Sequence, residues 1–290
     1  MYARGSTSDN ADLPWRVSEL LGQGRAGLVT DIDGTISPIV ARPEEAMVLP
    51  MARQALDGLK HRLALVAVVT GRSVDDARQM VGIDDLIYVG NHGLEVYANG
   101  HAEIVAEARP WVPRLAAVLG DVTKHLDPSI KPGVIVENKG VTASLHYRLT
   151  PDPDQARIEL LEILAHATGT AGLRVEEGRR VINVLPPLMV TKGSAVTWMV
   201  REHRLDGVVY VGDDITDAHA FRALDVLRQS GQVAAMSIGV VGPETPPSVR
   251  QLADATVPSV TAVADLFQAV LASLEAGDRM NLKAPSVGSD

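Results

Sequence analysis

The order of short apolar runs and amphipathic stretches constrains the fold of this chain more than any other feature. In the first third, the apolar runs AGLVTDIDG, LALVAVVTG and LIYVGNHG alternate with amphipathic stretches at residues 47–62 and 73–81. This alternation is typical of parallel strands separated by helices. We therefore predict an α/β fold in which helices cover both faces of a parallel sheet.

The same alternation resumes after Pro187. The predicted elements are a helix over residues 193–203, the strand GVVYVGDD, a helix around residues 218–224, the strand AMSIGVV and a final helix over residues 260–274. Because these elements have the same character as those of the first third, we expect both parts to build one sheet.

The segment between these two parts has a different pattern. It contains a helix over residues 111–126, the strand-like segments GVIVENKG and VTASLHYRL around a tight Lys-Gly turn, a helix over residues 153–168, and the strands LRVEEG and RRVINVLPP. Two helices, each followed by two strands, predict an α+β domain with an antiparallel sheet. The predicted domains are a core of residues 14–106 and 186–277, an inserted domain of residues 107–185, and disordered tails at residues 1–13 and 278–290.

Composition narrows the class of partner. The 290 residues are 46% hydrophobic, which is enough for a large core, and the net charge of -9 disfavours nonspecific binding to nucleic acid or anionic membranes. The chain has no cysteine, so any metal must be held by oxygen or imidazole. The longest strongly apolar run, Leu63 to Val69, is too short to span a bilayer. We predict a cytoplasmic monomer or small homo-oligomer that acts on a small molecule, with no nucleic-acid or membrane partner.

Acidic residues follow two of the predicted parallel strands. Asp31 and Asp33 in DIDGT face the same side of an extended chain, and GDDITD supplies Asp213, Asp214 and Asp217. Since the carboxyl ends of parallel strands lie at one edge of a sheet, these carboxylates can form an oxygen-only site that suits Mg2+. The alternative for each motif alone is structural: an acidic turn for DIDGT, and helix caps for Asp214 and Asp217.

Polar groups that could accept a phosphate lie between these acidic motifs. Thr70, Gly71 and Arg72 follow a strand in VVTGRS, and Lys192 opens a helix in TKGSAV. Helix starts and cations both favour anions, so these groups predict a phosphate site. The alternatives are a helix or turn cap for Thr70 and a solvated surface charge for Lys192.

Taken in order, DIDGT, VTGR, Lys192 and GDDITD resemble the motifs of the haloacid dehalogenase (HAD) superfamily of phosphatases over about residues 27–267. The resemblance implies a HAD-like Rossmannoid sheet with an inserted cap domain. It also implies that Asp31 is the nucleophile, that Asp33 is the general acid and base, and that Thr70 and Lys192 offset the charge of the transferring group.

The same resemblance implies a Mg2+ site. Its ligands would be Asp31, the backbone carbonyl of Asp33, and Asp213, with Asp214 or Asp217 adjacent. The ion would allow a carboxylate to approach an anionic phosphate.

Within the superfamily, VENKG, LHYR, VGNHGLE and GDDITDAHAF are similar to trehalose-6-phosphate phosphatases. Glu137 and Lys139 lie two apart on one strand, and Arg148 is expected on the paired strand, so their charges could meet a polyhydroxylated disaccharide. The alternatives are an exposed face with ion pairs and, for His92 and His146, packed histidines. The predicted substrate-binding residues are Gly71, Arg72, Asn91, His92, Glu137, Lys139, Arg148 and Arg179.

One position departs from that family pattern. Asn183 and Leu185 stand where the family usually carries an acidic residue and an arginine, and Arg179 could supply a cation nearby. An amide accepts fewer hydrogen bonds than a carboxylate, so selectivity for the distal sugar could shift. Sucrose-phosphate and mannosyl-phosphoglycerate phosphatases, a phosphosugar mutase and a sugar-phosphate sensor without turnover stay open, although retention of both Asp31 and Asp33 argues against a sensor.

Overall fold

The computed structural model describes residues 12–40, 42–178, 180–243 and 245–283. In chain order, the strands are β1 (Ala26–Thr30), β2 (Leu65–Val69), β3 (Ile87–Gly90), β4 (Glu95–Ala98), β5 (His101–Ile104), β6 (Ile135–Asn138), β7 (Ala143–His146), β8 (Arg174–Gly178), β9 (Val181–Leu185), β10 (Gly207–Gly212), β11 (Ala234–Val240) and β12 (Ala255–Val257). The helices are α1 (Leu13–Leu21), α2 (Pro50–Leu59), α3 (Val74–Val81), α4 (Val112–His125), α5 (Pro153–Ala171), α6 (Lys192–Glu202), α7 (Ile215–Gln229), α8 (Pro247–Leu252) and α9 (Val260–Lys283).

The larger sheet has the order β12-β11-β10-β1-β2-β3-β4-β5. Strands from both ends of the chain meet at its centre, where β1 pairs in parallel with β2 and β10. Every residue of β1, β2 and β10 is buried, as expected for parallel strands covered on both faces. The α/β prediction is therefore confirmed, and the carboxyl ends of β1, β2 and β10 lie side by side.

The sheet is mixed rather than wholly parallel, which corrects the sequence prediction. β4 pairs antiparallel with β3 and with β5. The β4–β5 turn contains Asn99 and Gly100, both with positive φ (53° and 89°), as a two-residue hairpin turn requires. The Asn-Gly pair in YANGH was the sequence signal for this hairpin.

Helices cover both faces of the larger sheet. On one face, Leu56 of α2 and Phe267 of α9 belong to the same buried cluster as Leu28 of β1. On the other face, Phe221 of α7 packs with Tyr210 of β10. Sequence analysis placed no element at α1, α8 or β12 and made α7 too short.

By length and composition, one described helix could cross a membrane. The window is Val260–Gly277 in α9. In this fold α9 packs against α1 and α2, and Val263, Phe267 and Val270 are buried in the core. A core helix of a globular protein passes the same test.

The smaller sheet lies within the predicted insertion and has the antiparallel order β6-β7-β9-β8. Its apolar face packs against α4 and α5 through a buried cluster that includes Leu115, Leu145, Leu160 and Ile182. This arrangement confirms an α+β unit with two helices.

The exact domain boundaries stay a prediction. The predicted tails fall mostly outside the described residues, although Leu13 begins α1 and α9 runs to Lys283.

Candidate active site

A buried lysine connects two acidic motifs at the carboxyl end of the larger sheet. Lys192, the first residue of α6, is only 2% exposed. Its Nζ lies 2.9 Å from Oδ1 of Asp31, which follows β1, and 2.8 Å from Oδ1 of Asp217 on α7. A solvated surface charge is therefore the wrong interpretation of Lys192, because the fold buries it between two carboxylates.

Asp217 organises the loop after β10. Its Oδ1 also accepts a hydrogen bond from the Tyr210 hydroxyl at 2.6 Å, while its Oδ2 accepts from the backbone N–H groups of Asp213 (2.9 Å) and Asp214 (3.1 Å). Both oxygens are thus already well bonded. Sequence analysis missed Tyr210, whose signal was a hydroxyl-bearing residue within the apolar strand VVYVG.

Three carboxylates converge beside this lysine. Asp31, Asp213 and Asp217 each offer an oxygen, and these oxygens all lie within 4.8 Å of one another. Burial, and then the charge of Asp217, raises the pKa of Asp213 to about 8. Burial also raises the pKa of Asp31 well above its usual range, although Lys192 opposes this shift. A divalent cation bound to these oxygens would relieve the same repulsion, so the donor set fits a hard metal ion.

The turn after β1 packs directly against Asp213. Gly34 has a φ of +80°, and a Cβ atom at that position would lie 2.2 Å from Oδ2 of Asp213. The Thr35 hydroxyl donates a hydrogen bond to Oδ1 of Asp213 at 3.3 Å. Glycine is therefore required in DIDGT both for the turn and for the close approach of the two acidic motifs.

Asp214, predicted as a possible metal ligand, lies outside the converging trio among the described residues. It is the N-cap of α7, and its Oδ1 accepts from the N–H groups of Thr216 (2.7 Å) and Asp217 (3.1 Å). Burial would raise its pKa, but Lys192 and the Thr216 hydroxyl lower the pKa of Asp214 to about 2. The cap interpretation accounts for its contacts.

The Asp33 side chain is not part of the converging trio and pairs with Arg72. Nε of Arg72 lies 2.7 Å from Oδ2 of Asp33, and Nη2 lies 2.8 Å from Oδ1. Both side-chain oxygens of Asp33 are thus bonded to one guanidinium. Thr70 is buried immediately after β2, and its Oγ1 accepts a hydrogen bond from the Arg72 backbone N–H at 3.2 Å.

The hairpin formed by β6 and β7 of the smaller sheet contacts this site. Lys139 donates from Nζ to the Gly71 carbonyl at 3.0 Å, and Asn91 donates from Nδ2 to the Lys139 carbonyl at 3.2 Å. The Thr142 hydroxyl also donates to Oδ1 of Asn91. Burial, with a smaller contribution from Arg72, lowers the pKa of Lys139. The hairpin therefore brings a buried amine to the edge of the site.

A polar row continues across the smaller sheet. Glu137 pairs in register with Ser144, which pairs with Asn183. The Ser144 hydroxyl donates to Oδ1 of Asn183 at 2.8 Å, and Glu137 Oε2 lies 2.9 Å from Nε2 of His146 and 3.6 Å from Nζ of Lys139. These contacts make one polar row across β6, β7 and β9.

Three other predicted residues have different positions. β7 ends at His146, so Arg148 lies in the turn beyond the strand rather than on it, because the chain stops pairing there. Arg179 lies outside the described residues. His92 has a positive φ of 59° and packs against Gly71, where a Cβ would lie 2.6 Å from its ring. Burial, and then Lys192, lowers the pKa of His92 to about 3, so this imidazole is neutral.

Comparison with known proteins agrees with the fold. The fold is that of haloacid dehalogenase-like hydrolases. The C-terminal domain of Candida albicans trehalose-6-phosphate phosphatase superposes with a TM-score of 0.73 at 20% identity, covering 92% of this chain and 98% of that one. The fold class is therefore that of haloacid dehalogenase-like hydrolases, and the acidic site lies at the carboxyl end of its larger sheet.

The sequence comparisons are more specific. The model of the family described as Trehalose-phosphatase matches residues 29–247. A Mycobacterium avium trehalose-phosphate phosphatase is 37% identical over 204 residues, 67% of this chain and 50% of that protein. An uncharacterized glycosyl hydrolase of Mycobacterium tuberculosis is 34% identical over 223 residues, 72% of this chain but 16% of that protein. This chain belongs to the trehalose-phosphatase family, and it spans half or less of the length of these two relatives.

Proposed function

We propose that this protein hydrolyses a disaccharide phosphate, trehalose 6-phosphate, to trehalose and inorganic phosphate. The observation that carries the proposal is the buried cluster in which Lys192 contacts Asp31 and Asp217, beside Asp213. A binding module would not require a carboxylate and a buried cation facing the same space.

The reaction would proceed in two displacements. The Asp31 carboxylate attacks phosphorus and breaks the P–O bond to the sugar, while Asp33 gives a proton to the departing alkoxide. Asp33 then takes a proton from water, whose oxygen attacks the aspartyl-phosphate, releasing phosphate and restoring Asp31. Lys192 and Thr70 would offset charge on the phosphoryl oxygens.

Mg2+ would be held by the side chains of Asp31 and Asp213 and by the backbone carbonyl of Asp33. When bound, it would neutralise phosphate charge and allow two anions to approach each other. Asp217 would support the site without binding the metal, because its oxygens already accept hydrogen bonds from Lys192, Tyr210 and the loop after β10.

The polar row of the smaller sheet supports a sugar substrate. Glu137, Ser144 and Asn183 offer hydrogen-bonding groups in register, and Lys139 joins that row to Gly71 at the site. A disaccharide bound to phosphate at Asp31 would present its hydroxyls to such a row. The cytoplasmic location and the oligomeric state stay predictions from the sequence.

The test is release of inorganic phosphate from trehalose 6-phosphate with Mg2+, beside sucrose 6-phosphate and glucose 6-phosphate. We expect the highest kcat/KM with trehalose 6-phosphate and loss of the rate when EDTA removes the metal. A higher kcat/KM with sucrose 6-phosphate would indicate that the amide of Asn183 favours a disaccharide other than trehalose. Absence of phosphate release from all three would contradict the proposal.

A further inference from the structure

Arg72 contacts two carboxylates, and no role has yet been given to this arrangement. Arg72 was predicted to bind substrate, but its guanidinium, with a side chain only 8% exposed, already contacts two carboxylates. Nη1 lies 2.5 Å from Oδ2 of Asp76, while Nε and Nη2 hold both oxygens of Asp33. Nη2 also donates to the Pro43 carbonyl at 3.1 Å. Its donors are therefore directed at protein groups rather than at a ligand.

The two carboxylates have unequal surroundings. Asp33 and Asp76 have side chains that are 38% and 41% exposed, so neither is fixed by burial. Asp76 lies in the first turn of α3, whose N-cap Ser73 accepts from the Asp76 backbone N–H at 3.2 Å. Asp76 thus stands on a capped helix, whereas Asp33 stands on the turn after β1. Of the two carboxylates that contact Arg72, Asp76 therefore has the backbone that is held by a helix.

We infer that Arg72 is a positioning residue that holds the Asp33 carboxyl beside the site, and that Asp76 anchors Arg72 for this task. A planar guanidinium binds both oxygens of one carboxylate and so fixes its direction as well as its distance. To act as the general acid, Asp33 must carry its proton on one oxygen. That oxygen must release Arg72 and donate to the leaving-group oxygen, while the other oxygen keeps its bond to Arg72. Because Asp76 and Pro43 hold the other donors, Arg72 stays in place during that exchange.

This inference rests on the proposed function, since it concerns the proton that Asp33 delivers. A sugar alkoxide is a poor leaving group and needs that proton, whereas p-nitrophenolate leaves readily without one. Damage to the position of Asp33 should therefore slow trehalose 6-phosphate far more than p-nitrophenyl phosphate. A general loss of folding, or loss of a direct phosphate contact, would slow both substrates alike.

The experiment compares R72Q, D33N, the double variant D33N/R72Q, and a control on both substrates with Mg2+. The control is R228Q, since Arg228 likewise contacts two carboxylates, Asp225 and Asp254, each at 2.7 Å. We expect R72Q to lower kcat for trehalose 6-phosphate by about 10- to 100-fold. The loss with p-nitrophenyl phosphate should be at least about tenfold smaller, and R228Q should match the wild type.

The double variant separates positioning from structure. If Arg72 acts through Asp33, D33N/R72Q should be no slower than D33N, because the group that Arg72 positions is already gone. D76N should give a smaller loss than R72Q with the same substrate pattern, and it tests the anchor if R72Q does not fold. Equal losses on both substrates, or losses that multiply in the double variant, would overturn the inference. Failure of the wild type on both substrates would instead overturn the proposed function, and the inference with it.

Discussion

The larger sheet and the insertion hold their polar groups in different ways. At the end of the larger sheet, Asp31, Lys192 and Asp217 are buried, and Nζ of Lys192 lies 2.9 Å from Asp31 and 2.8 Å from Asp217. In the insertion, Glu137 and Asn183 are only partly buried and follow the register of a small sheet. On the proposed function, this difference corresponds to a division of labour: the buried cluster would carry the chemistry, and the partly exposed polar row would recognise the sugar.

The largest expected effect concerns the buried cluster at the end of the larger sheet. Asp31→Asn should lower phosphate release by at least about 1,000-fold, since an amide does not attack phosphorus. The substitution preserves size and leaves Lys192 paired with Asp217, so the protein should stay folded, as a thermal unfolding curve would show. Asp57→Asn, on the exposed side of α2, is the matched control and should keep full activity. Residual activity above a few per cent for Asp31→Asn would show another nucleophile.

The buried charge network predicts an effect on stability as well. Lys192→Ala should lower the free energy of unfolding by about 3–5 kcal/mol, because it leaves buried carboxylates without their cation. Denaturant unfolding at neutral pH measures the change. Lys124→Ala, at an exposed lysine of α4, should change stability by less than about 0.5 kcal/mol. Equal effects of the two substitutions would contradict the importance of burial.

The insertion predicts a loss of recognition rather than of chemistry. Lys139→Ala removes the amine that joins Gly71 to Glu137, and it should raise KM for trehalose 6-phosphate by about tenfold. The change for p-nitrophenyl phosphate should be smaller. Lys131→Ala, at an exposed lysine of the insertion, serves as the control. A proportional loss on both substrates would place Lys139 with the chemistry instead.

The contact between hairpin and core predicts a milder effect of the same kind. Thr142→Val keeps the shape of the side chain but removes its hydrogen bond to Asn91, which is worth about 0.5–1.5 kcal/mol. This free energy corresponds to a rise in KM for trehalose 6-phosphate of about two- to tenfold. Thr123→Val, at an exposed position of α4, should leave KM unchanged. No rise in KM would mean that this bond does not help to hold the hairpin over the site.

The smallest effect concerns pH in protein stripped of metal. The pKa of Asp213 is raised from 3.8 to about 8, so the folded state binds more protons than the unfolded state between these values. The contribution of this group to stability therefore falls as pH rises from about 4 to 8. Mg2+ should reverse the trend, raising the thermal midpoint more at pH 8 than at pH 5. An equal rise at both values would contradict a metal bound by Asp213.

Local sequence patterns predicted the elements better than they predicted the contacts. The acidic strand ends were visible because each follows a clear apolar run, and Lys192 was visible because it opens a predicted helix. The pairing of Arg72 with Asp33 joins residues from the ends of two different strands, and no local spacing in the sequence encodes it. The bond from Tyr210 to Asp217 likewise depends on how α7 packs over β10. The β4–β5 hairpin was missed although its Asn-Gly turn was present, because alternation over only four residues is a weak signal.

The central claim is that Asp31 accepts the phosphoryl group of the substrate. Acid quenching during turnover of trehalose 6-phosphate, followed by proteolysis and mass spectrometry, tests it directly. We predict one phosphoryl group on the peptide that carries Asp31, retained in Lys139→Ala at saturating substrate and lost in Asp31→Asn. Rapid phosphate release with the phosphoryl group on a different residue would contradict the account.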